Sequence, residues 1–191
     1  MPGSARWAPR DRASRLGPGH DGLLRPRPHQ RGPRVTPEDE SWLSQAVALA
    51  TANVADGGGP FGAVIVRAGV VIGVGQNRVT RDNDPTAHAE VQAIRAACRT
   101  IENFSLEGAT VYTSCEPCPL CLAACLWARV DRVVFAADRH DAARAGFDDS
   151  AFYDLFSSHP DTWPMPVTGH RVPTASDPMD AWLARPTRIE Y

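Results

Sequence analysis

The chain of 191 residues is 43% apolar and 22% charged, which suits one soluble domain with some extra length, and no apolar run nears the ~20 residues of a transmembrane helix. Its net charge of −2 is unevenly spread: residues 1–34 hold eight Arg against Asp11 and Asp21, so +6, and the rest stands at −8. An acidic body speaks against a nucleic-acid partner, because that affinity comes largely from cations on phosphates.

Residues 1–35 are rich in Arg, Pro and Gly, with almost no apolar periodicity. Such a segment cannot bury enough surface to offset its ordering entropy, so a disordered, dispensable extension is expected. A nucleic-acid arm or a transit peptide is the functional alternative. The folded domain is expected over residues 36–191. Thr36 suits an N-cap, Pro37 the first helical position, and Glu38 and Asp39 the positive helix end. Trp42, Ala46, Val47, Leu49, Ala50 and Val54 mark an apolar helical face that stops at Asp56-Gly57-Gly58-Gly59-Pro60. Phe61–Arg67 and Val70–Gly75 read as strands joined by a short Ala68-Gly69 link. A polar loop, Asn77 to Thr86, follows. Then come a helix over His88–Ile101, a strand over Thr110–Thr113, a helix over Pro117–Arg129 and a strand over Arg132–Ala137. This order predicts an α/β layered sandwich with some parallel pairing. Short helices are expected near Ala151–Phe156 and Met179–Ala184.

Four of the five cysteines lie in Cys115-Glu-Pro-Cys118-Pro-Leu-Cys121-Leu-Ala-Ala-Cys125. Such clustering fits metal binding in a reducing cytoplasm better than a disulfide framework. The spacing matches an iron–sulfur run, but Leu126 stands where that run usually has Pro. A zinc reading uses fewer of the cysteines. Cys118 and Cys121 are three apart in a helical first turn, with Pro117 placed at its first position. A helix N-terminus favours thiolates. His88, opening the preceding helix, supplies a nitrogen ligand, and a catalytic zinc keeps its fourth position for water. Glu90 stands two residues on, placed to take a proton from that water and pass it to a substrate nitrogen. Alone, His88 would be a packed or surface histidine and Glu90 a solvated helix-start acid. Together with the cysteine pair they make a strong signal. Cys115 is expected at the strand end and Cys125 as a small packed hydrophobe.

Through His88-Ala89-Glu90 and Pro117-Cys118-Pro119-Leu120-Cys121 the chain resembles the zinc-dependent cytidine and nucleobase deaminase superfamily. Within it, the guanine-deaminating bacterial branch is the most similar. Matching stretches are Gly58–Val66, Gly75–Asn77, Asn83–Cys98, Tyr112–Cys121, Ala145–Ser150 and the terminal Glu190-Tyr191. The resemblance spans Thr36 to Tyr191. It implies a three-layer α/β/α sandwich with a mixed central sheet and hydrolysis of guanine to xanthine and ammonia. It further implies one Zn²⁺ per subunit on His88, Cys118 and Cys121, with Glu90 shuttling protons. Asn77 and the Ala89 backbone would hold the purine and Phe61 would pack on it. Asp149 would contact the substrate amine and assist proton transfer, and Trp127 and Tyr191 would close the pocket. A homodimer, domain-swapped through the C-terminal segment, is implied as well.

Several readings stay open beside this one. A guanosine deaminase differs mainly in room for ribose, and cytosine, isocytosine or ammeline are other aminated heterocycles of the right kind. A tRNA adenosine deaminase shares both motifs but is disfavoured by the acidic body. A zinc-stabilised binding module would need Cys115 as a fourth ligand and would leave Glu90 idle.

Overall fold

The structure is a computed structural model that describes residues 34–190. Residues 1–33 of the expected extension, and Tyr191, lie outside the described residues. Helix α1 spans Pro37–Ala55 and begins on a capping box. Asp39 N donates to Thr36 Oγ1 at 3.2 Å, and Thr36 N donates back to Asp39 Oδ2 at 2.7 Å. Strands β1 (Gly62–Arg67) and β2 (Val70–Gln76) follow. Ala68 and Gly69 between them both have positive φ, 51° and 74°, the two-residue turn whose twist matches a hairpin. The expected polar loop contains one turn of helix, α2 (Val79–Asp82). Helix α3 (Ala89–Ile101), strand β3 (Ala109–Cys115), helix α4 (Pro119–Trp127) and strand β4 (Arg132–Ala137) come next. Short helices α5 (Arg139–Arg144), α6 (Ser150–Phe156) and α7 (Asp177–Leu183) end the chain. Of these, α5 carried no apolar pattern; its start is a capping box between Asp138 and Asp141.

The sheet order is β2-β1-β3-β4. β1 runs antiparallel to β2 and β3, while β3 and β4 are parallel, so the sheet is mixed. Side-chain alternation divides the core in two. Val64, Val66, Tyr112 and Val134 face α1 through Ala46, while Ala63, Ile65, Ile72 and Val111 face α3 and α4 through Ala89, Ala93, Ala97 and Cys125. Helices therefore cover both faces, giving the three-layer α/β/α sandwich. The alanine stripe lets α3 sit close on β2: a Cβ at Gly75 would come within 2.1 Å of Ala89 O, so glycine there sets how near the helix start lies to the sheet. No described helix is long and apolar enough to cross a membrane.

Two expectations change. Helix α4 starts at Pro119, with Cys118 as N-cap in extended conformation, φ −66° and ψ 168°. A residue before proline is pushed out of the α region, so Cys118 cannot be helical and Pro119, not Pro117, takes the first helical position. On α1, Val47 and Val54 are exposed, whereas Asp39 and Asn53 are buried. The buried stripe of this helix includes two polar residues that apolar periodicity cannot find.

Asp39 ties three elements together. Its carboxylate accepts from Tyr112 Oη at 2.7 Å and from Arg132 at 2.9 and 3.2 Å, besides the bonds from Thr36. Burial resists its ionisation, but the bonds from Tyr112, Thr36 and Arg132 prevail and hold its pKa well below the usual carboxylate range. A depressed folded pKa stabilises fully above the unfolded value of about 4, and that contribution is lost as pH falls toward the folded value. Asp39→Asn is expected to cost about 3 kcal/mol at neutral pH and to flatten the loss of stability below pH ~4. Urea unfolding at pH 7 and pH 3 checks both; equal loss at the two values would contradict the assignment.

Candidate active site

Two helix starts and one strand end meet at the site. His88 is the N-cap of α3, with Ala89 and Glu90 in its first turn. Cys118 is the N-cap of α4 and Cys121 lies in that helix's first turn. β3 ends at Cys115, beside the end of its parallel neighbour β4 at Ala137. Crevices at the carboxyl ends of parallel strands are where such folds place their ligands.

His88 Nδ1 lies 3.5 Å from both Cys118 Sγ and Cys121 Sγ, and the two sulfurs are 3.6 Å apart. Among the described residues these three form the one group of His, Cys, Asp and Glu with metal-holding geometry. A tetrahedral zinc at ordinary Zn–N and Zn–S distances needs its ligands about 3.5–3.8 Å from one another. The observed triangle fits that requirement. The donor set also fits zinc chemically, with one imidazole, two thiols and, among the described residues, no fourth member of the group.

The electrostatics favour a cation there. The Cys118 thiol is pulled down to about 4, first by its hydrogen bond with Cys121 and, against burial, by His88. The Cys118 contact in turn raises the His88 imidazole above its ordinary value. Cys121, its thiol sharing one hydrogen bond with Cys118 and buried as well, is pushed up. A divalent cation reverses that last effect, because a coordinating thiol is deprotonated outright.

Glu90 is 5% exposed. Its Oε1 accepts from Thr113 Oγ1 at 2.9 Å, and its Oε2 is 3.3 Å from Cys121 Sγ. Burial raises its pKa, with the Thr113 and Cys121 bonds working against that rise. A buried carboxyl with an elevated pKa beside a metal site suits proton transfer near neutral pH.

The metal triangle and Glu90 open into a cavity of about 710 Å³, which Phe61, Asn77 and Asp149 also line. Phe61 meets Phe147 edge to face at 5.0 Å, so an aromatic wall forms from β1's entry and the C-terminal segment. Asn77 is 8% exposed. Burial and then the Cys118 thiolate raise the Asp149 pKa, unlike that of Asp148, whose carboxylate accepts from Ser150 and is lowered. Ala89 is fully buried, and its backbone N–H is among the helix-start donors that have no partner within the helix.

Trp127, expected over the pocket, lies elsewhere, and Cys115 and Cys125, expected as neighbours and not ligands, stay out of the metal triangle, though Cys115 lines the cavity. Trp127 is 61% exposed at the far end of α4, about 9 Å along the helix beyond Cys121, and does not line the cavity of its own chain. Cys115 Sγ turns to Asp138 O at 3.5 Å, and burial pushes its pKa to about 11. Cys125, on α4, is buried in the core shared with α3 and the sheet. Four cysteines therefore do not converge, which removes both the iron–sulfur reading and the four-ligand module. Thr113 and Phe147 were not singled out in the sequence; a strand threonine and a loop phenylalanine carry no local mark of a site. Nor was the Glu116–Arg139 ion pair, where Arg139 also stacks on Tyr153 at 4.0 Å and Tyr153 Oη donates to Pro117 O at 2.8 Å. These contacts seat the C-terminal segment against the turn that precedes Cys118.

The sequence model of the cytidine and deoxycytidylate deaminase zinc-binding region matches residues 36–137. The chain belongs to this family. Within the family it is 47% identical over 153 residues to the guanine deaminase of Bacillus subtilis, covering 80% of this chain and 98% of that protein. The X-ray structure of that deaminase superposes with a TM-score of 0.77 over the same shares of the two chains. A guanine deaminase structure from Nitrosomonas europaea is 33% identical, with a TM-score of 0.55 over 62% of this chain and 69% of that one. A tRNA-specific adenosine deaminase from Buchnera aphidicola is 37% identical over 117 residues, covering 61% of this chain and 78% of that protein.

Proposed function

We propose that this chain hydrolyses guanine to xanthine and ammonia. Hydrolytic deamination rests on the three-donor metal triangle with a buried carboxyl 3.3 Å from one of its sulfurs. Guanine as substrate rests on the similarity to a guanine deaminase along 98% of that protein's length.

His88, Cys118 and Cys121 hold the zinc. When bound, zinc acts as a Lewis acid that brings the pKa of its water near neutral. Glu90 does the proton work. Thr113 fixes one carboxylate oxygen, so the other stays aimed toward the metal side. It accepts a proton from water and delivers it to a purine ring nitrogen as the exocyclic amine leaves. Phe61 packs on the ring, while Asn77 and the Ala89 N–H anchor its edge. Asp149 faces the departing amine and supplies the second proton position. A flat base in an apolar-walled cavity with a few fixed polar groups is the ordinary form of such a site.

The chain acts as a homodimer. Large apolar side chains left open to solvent support this: Leu126 and Trp127 at the end of α4 and Phe152 and Phe156 on α6 are 55–65% exposed, apolar surface of the kind a second copy covers. The part of the C-terminal segment beyond α6 crosses between copies. The enzyme works in the cytoplasm, in purine breakdown; its five free cysteines, which suit a reducing compartment, support the first of these.

The test offers guanine, guanosine, adenine and cytosine to the zinc-loaded protein and follows ammonia. Guanine is expected to exceed the others at least 100-fold in kcat/KM, from a preparation that light scattering shows as a dimer. Zinc-loaded protein idle on guanine, or preferring guanosine, would contradict the substrate assignment.

A further inference from the structure

We propose that Asn53 is a positioning residue that sets the shape of the base-binding wall, an inference that rests on the deaminase reading. Asn53 lies on the last turn of α1, fully buried, and does not line the cavity. Its Nδ2 donates to Gly59 O at 2.8 Å and to Asn77 O at 2.7 Å. Those two carbonyls belong to the two backbone stretches that bring Phe61 and Asn77 to the cavity.

The stretches interlock around this amide. Phe61 N donates to Gly59 O at 2.8 Å, and Asn77 N donates to Phe61 O at 3.0 Å. Gly58 N donates to Asn53 O at 2.8 Å, closing the loop onto the helix. Asn77 Oδ1 accepts from Val79 N at 3.3 Å, which orients the side-chain amide that faces the base. Asn53 Oδ1 has no hydrogen bond among the described residues, so the side chain acts wholly through its two donors. The amide orientation follows from this: a flip would set an oxygen against two carbonyl oxygens.

The same contacts explain the run of glycines after α1, which sequence alone reads only as a helix stop. A Cβ at Gly58 would lie 2.4 Å from Asn53 Nδ2, and one at Gly59 would lie 3.0 Å from the Asn77 amide. Glycine keeps this loop close enough for one buried amide to hold both carbonyls. Removing the donors takes from Asn77 O its bond to Asn53 and leaves Gly59 O with Phe61 N alone, so the two stretches lose their shared tie and the wall that Phe61 and Asn77 form is free to shift. None of the metal ligands, nor Glu90, touches Asn53. Base binding is therefore the step that suffers, and the chemical step is not.

Asn53→Ala is expected to raise KM at least tenfold, with kcat within threefold of wild type and one zinc per chain retained. Asn53→Ser, which keeps one donor, falls between. Gly58→Ala in the wild-type background displaces the amide and raises KM similarly, but adds less than twofold to Asn53→Ala, where the obstructing amide is gone. KM is measured with whichever base of the panel the wild type deaminates, so failure on guanine sinks the substrate reading alone. A merely structural role would lower the melting temperature and active fraction with KM unchanged. That result, or effects of Asn53→Ala and Gly58→Ala that multiply, would overturn the proposal.

Discussion

Glu90→Gln is expected to lower kcat by about 10²–10⁴-fold while leaving the zinc content at one per chain. The replacement is nearly isosteric, so the buried slot at the start of α3 stays filled. An amide oxygen still accepts from Thr113, whose hydroxyl holds Glu90 Oε1 at 2.9 Å. An amide cannot take up a proton and return it, and that loss, with the carboxylate's charge, is what the variant tests. His88, Cys118 and Cys121 keep their spacing, so the metal stays. KM is expected to change little, because on the proposed reading the base is held by Phe61 and Asn77, which line the same cavity. Steady-state rates and metal analysis on one preparation decide the matter. A variant with kcat within a few-fold of wild type would move the proton work to Asp149.

Cys121→Ser is expected to weaken zinc binding by more than 100-fold and to take turnover to background with it. The site has three protein donors, so each is indispensable. A serine hydroxyl is not deprotonated under conditions in which a metal-bound thiol is. Cys121 is also 1% exposed, so no solvent ligand can slip into its place without repacking α4. Cys115→Ser is the control. Its sulfur turns away to Asp138 O, and the variant is expected to keep full zinc and activity. Equal zinc loss from both variants would restore a four-ligand structural site and contradict the catalytic reading.

The parts of this molecule legible in the sequence are those whose causes are local. Thr36-Pro37-Glu38-Asp39 carries its cap within four residues, and α1 starts there. Ala68-Gly69 between two β-rich runs gives the hairpin, and the alternation of helix and strand gives the parallel β3–β4 pair. The candidate metal triangle was legible because the spacing of His88, Cys118 and Cys121 and their helix starts are both written in short motifs. The register of α4 was missed by two residues because two prolines competed, and the constraint on Cys118, the residue preceding Pro119, decides between them. Asn53 was invisible for a different reason: a polar residue near a helix end reads as solvated, and only its contacts with Gly59 and Asn77, far along the chain, show it buried. Asp149 was marked by resemblance alone, since an acidic turn has a bland reading of its own. Trp127 was expected over the pocket by resemblance, and it stands at the exposed end of α4 because a helix carrying ligands at its first turn carries its last residue away from them.

The most direct test titrates zinc into the metal-free chain while xanthine formation from guanine is followed. Activity is expected to rise linearly and to stop at one zinc per chain, in a colourless protein whose Glu90→Gln variant takes up the same metal without turnover. Saturation with zinc and no xanthine formed, or activity that depends on a coloured iron centre, would contradict the account.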